Sequence, residues 1–255
     1  MDITVLGCSG GIGGGLATTS LKVGAKVLID AGTGVDSLTL PELAAVDVVY
    51  LTHSHLDHIA CLPLMIDSVG SLRHQPLCIR ALPETLQALS DHIFNNVIWP
   101  DFRKIPTAAA PWLVFEPIAV GDTFPLADGG TLHVLPVTHC IPAVGYAVAA
   151  ASGTTLAFSG DTGPSPVFWQ ALSELPRLDH LIVECAFSDS EAAIAVAAHH
   201  YTPETLARDL PLLPESVDVH ISHLKPNGGE AVMMELSQHS ARSVFRLNTG
   251  SCFRL

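Results

Sequence analysis

His53-Ser54-His55-Leu56-Asp57-His58 places four metal-competent side chains within six residues, directly after the apolar run Val46–Leu51. A divalent ion needs several ligands converging at roughly 2.0–2.2 Å, and a strand that ends in a tight loop converges them readily. Two histidines separated by one residue can hold one ion from the loop. The adjacent Asp57-His58 pair opens a helical pattern and can turn toward a second ion. The run predicts a metal centre, with two ions rather than one.

Three more residues have a related placement. His139 follows the strand-like run Thr131–Val137, Asp161 follows Thr154–Phe158 within Ser159-Gly160-Asp161-Thr162, and His223 follows Val217–Ile221. Each stands where an apolar strand stops, where loops carry chemistry over a rigid scaffold. Taken singly, each reads equally well as a hydrogen-bonded loop residue. Together with the first run they form the order His-x-His-x-Asp-His, His, Asp, His, which chance does not readily produce.

That order resembles the metallo-β-lactamase superfamily, over nearly the whole chain. The resemblance implies an α+β fold, the metallo-β-lactamase-like αββα sandwich of two mixed β-sheets flanked by helices. It also implies one ion held by His53, His55 and His139 and a second held by Asp57, His58 and His223. Asp161 would bridge the two, leaving a shared position for water or hydroxide. Imidazole and carboxylate ligands without thiolate suit zinc, with manganese and iron left open by ligand type.

At 255 residues, 48% of them hydrophobic and 15% charged, the chain is long enough for one well-buried domain over residues 1–255. No charge run, Ser/Gly linker or internal repeat marks a boundary. No apolar run reaches the ~18 residues of a membrane span, and Met1–Leu6 opens a strand rather than a signal peptide, so a cytoplasmic protein is expected. The six cysteines are scattered without Cys-x-x-Cys pairs and read as buried thiols rather than disulfides or ligands. Cys140 neighbours His139, but strand alternation would turn it to the opposite face, so it is not expected as a ligand. The net charge of −13, with Arg103-Lys104 the longest basic run, favours a small substrate over long nucleic acid. A homodimer is left open.

Strands are predicted at Ile3–Leu6, Thr18–Val23, Lys26–Asp30, Val46–Leu51, Leu77–Arg80, Leu132–Val137, Gly145–Ala150, Thr155–Phe158, Leu181–Glu184 and Val217–Ser222. Helices are predicted at Asp57–Ser68, Pro83–Phe94, Ser165–Leu175, Pro203–Leu212 and Gly229–His239; a proline at a helix head is a start signal. The Pro-dotted stretch Pro100–Pro117 reads as a long surface excursion or lid. Gly7-Cys-Ser-Gly-Gly-Ile-Gly-Gly-Gly15 follows the first strand, yet Leu16 stands where a dinucleotide fingerprint needs its third glycine, and no Lys-Ser/Thr follows. It reads as a flexible loop over the site rim.

Within the superfamily, His55-Leu-Asp-His-Ile59, the string His92-Ile-Phe-Asn-Asn-Val-Ile-Trp-Pro-Asp-Phe102 and Ile221-Ser-His-Leu-Lys-Pro226 together resemble the class II cyclic-nucleotide phosphodiesterases. Cys61 departs from that family's small glycine or serine, and Pro63–Ser68 matches it loosely. Leu181-Ile-Val-Glu-Cys185 and His199-His200-Tyr-Thr-Pro203 resemble elements that the phosphodiesterases share with ribonuclease Z, with register selecting His200 over His199. A Glu184–His200 pair would keep the imidazole protonated, able to bind phosphate or donate a proton. The implied reaction is hydrolysis of a 3′,5′-cyclic nucleotide to its 5′-monophosphate. His200 would be the acid, positioned by Glu184, with Asp57 as the alternative proton carrier and Asn95 and Trp99 in the nucleoside pocket. A ribonuclease Z-like RNA-processing enzyme and a non-catalytic nucleotide- or metal-binding module are the alternatives.

Overall fold

The computed structural model describes residues 1–255, and its sixteen strands run in chain order. They are β1 (Asp2–Gly7), β2 (Ser20–Val23), β3 (Val27–Ile29), β4 (Val48–Tyr50), β5 (Leu77–Ala81), β6 (Pro106–Thr107), β7 (Ala110–Pro111) and β8 (Leu113–Pro117), then β9 (Thr123–Pro125), β10 (Thr131–Pro136), β11 (Val144–Ala149), β12 (Thr155–Phe158), β13 (His180–Glu184), β14 (Asp218–Ser222), β15 (Val244–Arg246) and β16 (Cys252–Arg254). One seven-stranded sheet has the order β16-β1-β2-β3-β4-β5-β8, the other β15-β14-β13-β12-β11-β10-β9, and β6 and β7 form a small hairpin. Each large sheet is antiparallel through one half and parallel through the other, as expected of a mixed sheet.

Alternation along the strands builds three apolar layers. Val27, Ile29 and Tyr50 face inward against Tyr146, Phe158 and Ile182 of the second sheet. Their neighbours Leu28, Val49 and Leu51 face outward onto α3 (Leu62–Val69) and α4 (Pro83–His92). Leu181 and Val183 likewise turn outward onto α5 (Pro166–Glu174), α7 (Pro203–Asp209) and α8 (Gly229–His239). Helix, sheet, sheet, helix is the αββα sandwich. Strands β10, β12, β13 and β14 run in one direction, so the loops after them leave from one edge of the second sheet.

Several expectations change in the structure. The helix expected over Asp57–Ser68 is two pieces, α2 (Leu56–Ile59) and α3, because the Cys61 amide donates to Ala31 O at 2.9 Å and Pro63 starts a new helix. Pro100–Pro117 is not a detached excursion: β8 pairs in parallel with β5, and Asp101 and Phe102 are buried. The strands β8, β9, β15 and β16 and the helices α1 (Leu40–Ala45) and α6 (Ala192–Ala198) were absent from the expected set. All six cysteines are free thiols, but only Cys78 and Cys185 are buried as expected; Cys8 and Cys61 are half-buried, and Cys140 and Cys252 lie exposed in loop or edge-strand positions.

Candidate metal centre

All seven residues singled out by spacing meet at one edge of the sandwich. His53, His55, His139 and Asp161 form one group and Asp57, His58, Asp161 and His223 a second; within each, the candidate ligand atoms lie within 4.8 Å of one another. Asp161 belongs to both, and its two oxygens divide between them. Oδ2 lies 3.7 Å from His53 Nε2, while Oδ1 lies 3.3 Å from His58 Nε2 and 3.1 Å from His223 Nδ1. Gly160, at φ 61°, makes the turn that delivers Asp161; a Cβ there would sit 2.9 Å from the Thr52 methyl.

The backing of each imidazole decides which nitrogen looks inward. His53 Nδ1 lies 2.9 Å from Thr52 Oγ1, so Nε2 faces His55 Nδ1 at 3.0 Å. His139 Nδ1 donates to the His199 carbonyl at 3.1 Å, so its Nε2 keeps a lone pair 3.2 Å from His55 Nδ1. His58 Nδ1 pairs with Asp30 Oδ2 at 2.7 Å, and the same carboxylate accepts from the Thr52 amide and hydroxyl. Asp30 and His223 both take left-handed backbone, with φ 58°. Such supports fix ring orientation and tautomer for a ligand.

The donor set fits divalent cations. His58 Nε2 and His223 Nδ1 are buried without a hydrogen-bond partner, although both face the same carboxylate oxygen. Buried polar atoms ordinarily find partners, and two imidazole nitrogens converging on one carboxylate oxygen without a hydrogen bond are the exception that a cation explains. Burial pushes His53 well below the usual imidazole value, His139 to about 4 and His223 to about 3, leaving them neutral and free to ligate. Burial also opposes charge on His58, but Asp161 and Asp30 outweigh it and hold that imidazole well above its usual value. A metal at the second group must displace that proton.

Beside the cluster, Glu184 is fully buried and fully satisfied. Its oxygens accept from Thr162 N at 2.9 Å, Ala186 N at 3.0 Å and His200 Nδ1 at 2.6 Å. Burial works against charge on His200, yet Glu184 keeps its imidazole above the usual value. The His200 ring lies between His139 and His223, with ring centres 5.0 and 5.3 Å away, whereas His199 is exposed and contributes its carbonyl.

Asn95 and Trp99 make local contacts within the loop after α4 and the first sheet's outer layer. Asn95 donates to Asp91 O and accepts from the Val97 and Ile98 amides, closing the loop after α4, and Trp99 packs against the first sheet's outer layer. Cys140 differs from its expected placement: β10 ends at Pro136, alternation no longer applies, and Sγ lies 3.7 Å from His139 Nε2 and 3.9 Å from His55 Nε2. Spacing missed Asp30, Thr52 and Lys225. Asp30 carried the same signal as Asp161, a carboxylate where an apolar strand stops. The Gly7–Gly15 stretch does border the rim: Gly10 N donates to Leu224 O at 3.1 Å, and a Cβ on Gly10 would lie 2.6 Å from His223 O, so only glycine allows that approach.

Comparison with known proteins agrees with this geometry. A family model described as a beta-lactamase superfamily domain matches residues 25–244. Ribonuclease Z of Clostridium beijerinckii is 30% identical over 165 residues, covering 57% of this chain and 48% of that protein. A probable 3′,5′-cyclic-nucleotide phosphodiesterase of Yersinia pestis is 24% identical over 206 residues, covering 72% of this chain and 58% of the relative. The alignments thus span about half the length of these curated relatives. Among solved structures, unliganded yeast PDE1 superposes with a TM-score of 0.80 at 17% identity, over 100% of this chain and 99% of that one. No helix is long and apolar enough to cross a membrane. By the matched family model, the two facing mixed sheets and the divided His/Asp cluster, the chain belongs to the metallo-β-lactamase superfamily.

Proposed function

We propose that this protein hydrolyses 3′,5′-cyclic nucleotides to 5′-monophosphates with two divalent ions, zinc foremost. His53, His55 and His139 would hold one ion, Asp57, His58 and His223 the other, and Asp161 both. Bound there, the ions would supply Lewis acidity and a low-pKa water for attack on phosphorus. The chain's own part is to fix the ligands, keep the site dry on its buried side, and provide an acid. The observation that carries phosphodiester hydrolysis, of cyclic nucleotide and RNA alike, is the 2.6 Å Glu184–His200 pair set against the cluster, and the distribution of charge favours the smaller substrate. His200 donates the proton that the departing 3′ oxygen requires, and Glu184 keeps it charged until then. Asp57, 30% exposed by side chain and 3.8 Å from His223 Nε2, is the alternative carrier.

Charge distribution supports a small substrate. Of the 12 Lys and Arg, all but Lys225, Arg242 and Arg254 are ion-paired with carboxylates, which leaves few cations for a phosphate polymer. The 30% identity to a ribonuclease Z favours RNA processing as the second reading. Turnover of 3′,5′-cyclic AMP by zinc- or manganese-loaded protein, beside a chelated control, tests both. Chelator-sensitive 5′-AMP supports the proposal; cleavage of precursor tRNA without 5′-AMP moves it to the ribonuclease reading. Nucleotide binding with both ions present and no turnover of either substrate marks a binding module.

A further inference from the structure

Lys225 reaches the cluster with its ammonium, which makes two hydrogen-bond contacts, neither to a carboxylate, and lies 5.5 Å from the centre of the Phe187 ring. Its Nζ donates to Gly10 O at 3.0 Å and lies 3.2 Å from His223 Nε2. No carboxylate pairs with it, unlike most other cations of this chain. An ammonium carries three donors, and these two contacts occupy two of them, so one remains for a phosphate held beside the cluster.

Lys225 also lines a cleft of about 1070 Å³ whose walls include none of the seven candidate ligands. Its polar lining is Ser188, Ser190, Glu191 and Asn227, together with the bare backbone of Gly13 and Gly14 and with Ala231 of α8. The glycines hold left-handed backbone at φ 120° and 58°, and a Cβ on either would meet nothing within 4 Å, so that wall offers open space and peptide groups. Small-molecule sites commonly measure a few hundred to ~1,000 Å³ and fix their ligand with a few placed polar groups. This volume accommodates a purine nucleoside attached to a phosphate at the Lys225 end.

We infer that Lys225 is the phosphate-recognising cation of this site and that the cleft beyond it seats the nucleoside of a nucleoside phosphate. The inference rests on the phosphodiesterase reading and gives its substrate a place and an orientation: phosphate between the cluster and Lys225, sugar and base toward Ser190 and Asn227. It also gives the chain's glycine-rich loop a role as one wall of a nucleoside site.

The test is calorimetric titration of the metal-loaded protein with 5′-AMP and with inorganic phosphate, in wild type, Lys225→Met, Lys225→Arg and Ala231→Trp, with metal content measured in each. Lys225→Met, with both ions retained, is expected to weaken both ligands by about tenfold or more, as loss of a charged hydrogen bond does, and Lys225→Arg to recover part of that. Ala231→Trp is expected to weaken 5′-AMP far more than phosphate, because it fills only the nucleoside end. In turnover of cyclic AMP, both Lys225→Met and Ala231→Trp raise KM more than they lower kcat. Wild-type affinity and KM in both variants, with cyclic AMP turned over normally, overturn the inference alone. Failure of the wild type to bind 5′-AMP or cleave cyclic AMP, while it hydrolyses bis(p-nitrophenyl) phosphate, overturns the nucleotide reading and the cleft's occupant with it.

Discussion

The two ligand groups share Asp161 but are supported in opposite ways. In the first, His53 rests on the Thr52 hydroxyl and His139 on the His199 peptide carbonyl, both neutral. The second contains His58, whose Nδ1 rests on the buried carboxylate of Asp30. Neutral backing leaves imidazoles that burial has already deprotonated, ready for a cation. Anionic backing makes His58 a stronger base and a stronger ligand, but one that holds a proton until metal arrives. Similar ligand atoms on one scaffold therefore differ in their competition with protons.

The largest break in this comparison comes from removing what the groups share. Asp161→Ala should cost both ions and lower turnover by about three orders of magnitude or more, measured by metal analysis and hydrolysis of cyclic AMP. Next is the support of the proposed acid, His200. Glu184→Gln should retain metal yet lower kcat by about 10²-fold. An acid must be protonated to act, so its rate limb falls as pH rises through its pKa; losing the carboxylate lowers that pKa and should move the limb toward acid in a pH–rate profile. A third variant divides the groups: Asp30→Asn should weaken the second ion by about 10–100-fold and leave the first nearly unaffected, read as two-phase metal release to a competing chelator. Acidifying the wild type sharpens the same contrast without mutation. Protons compete with metal at His58 from above its usual pKa, and at His139 only near 4, so the second ion should leave at the higher pH. The smallest effect is expected of Cys140→Ser, within about twofold in turnover and metal content, since its thiol is exposed and touches the first group only at van der Waals range.

The readability of these residues from sequence followed the length scale of their contacts. His53 to His58 were legible because one loop carries them, and His139, Asp161 and His223 because each follows within a few residues of the end of an apolar strand. Asp30 and Thr52 were not, although they carry that signal too, because their task is set by a parallel neighbour that periodicity does not reveal. Cys140 was placed by an alternation that had already stopped at Pro136. Asn95 and Trp99 drew their assignment from a motif, while the local amides of Val97 and Ile98 decide where Asn95 points. In the fold, strands with a buried face were visible, whereas Thr123–Pro125, Val244–Arg246 and Cys252–Arg254 are short and largely exposed, with too little pattern to find.

The left-handed backbone at Asp30 and His223 has a consequence for how this protein can change. Side chains other than glycine hold that conformation at a cost of roughly 1–2 kcal/mol, and neither residue is there for the comfort of the fold. His223 adds a buried nitrogen with no partner, so in the metal-free chain it is unfavourable on both counts. At this position selection for folding and selection for the reaction point in opposite directions. A lineage released from catalysis would be expected to lose His223 early, and its descendants could keep the sandwich intact, and more stable, around a half-dismantled centre.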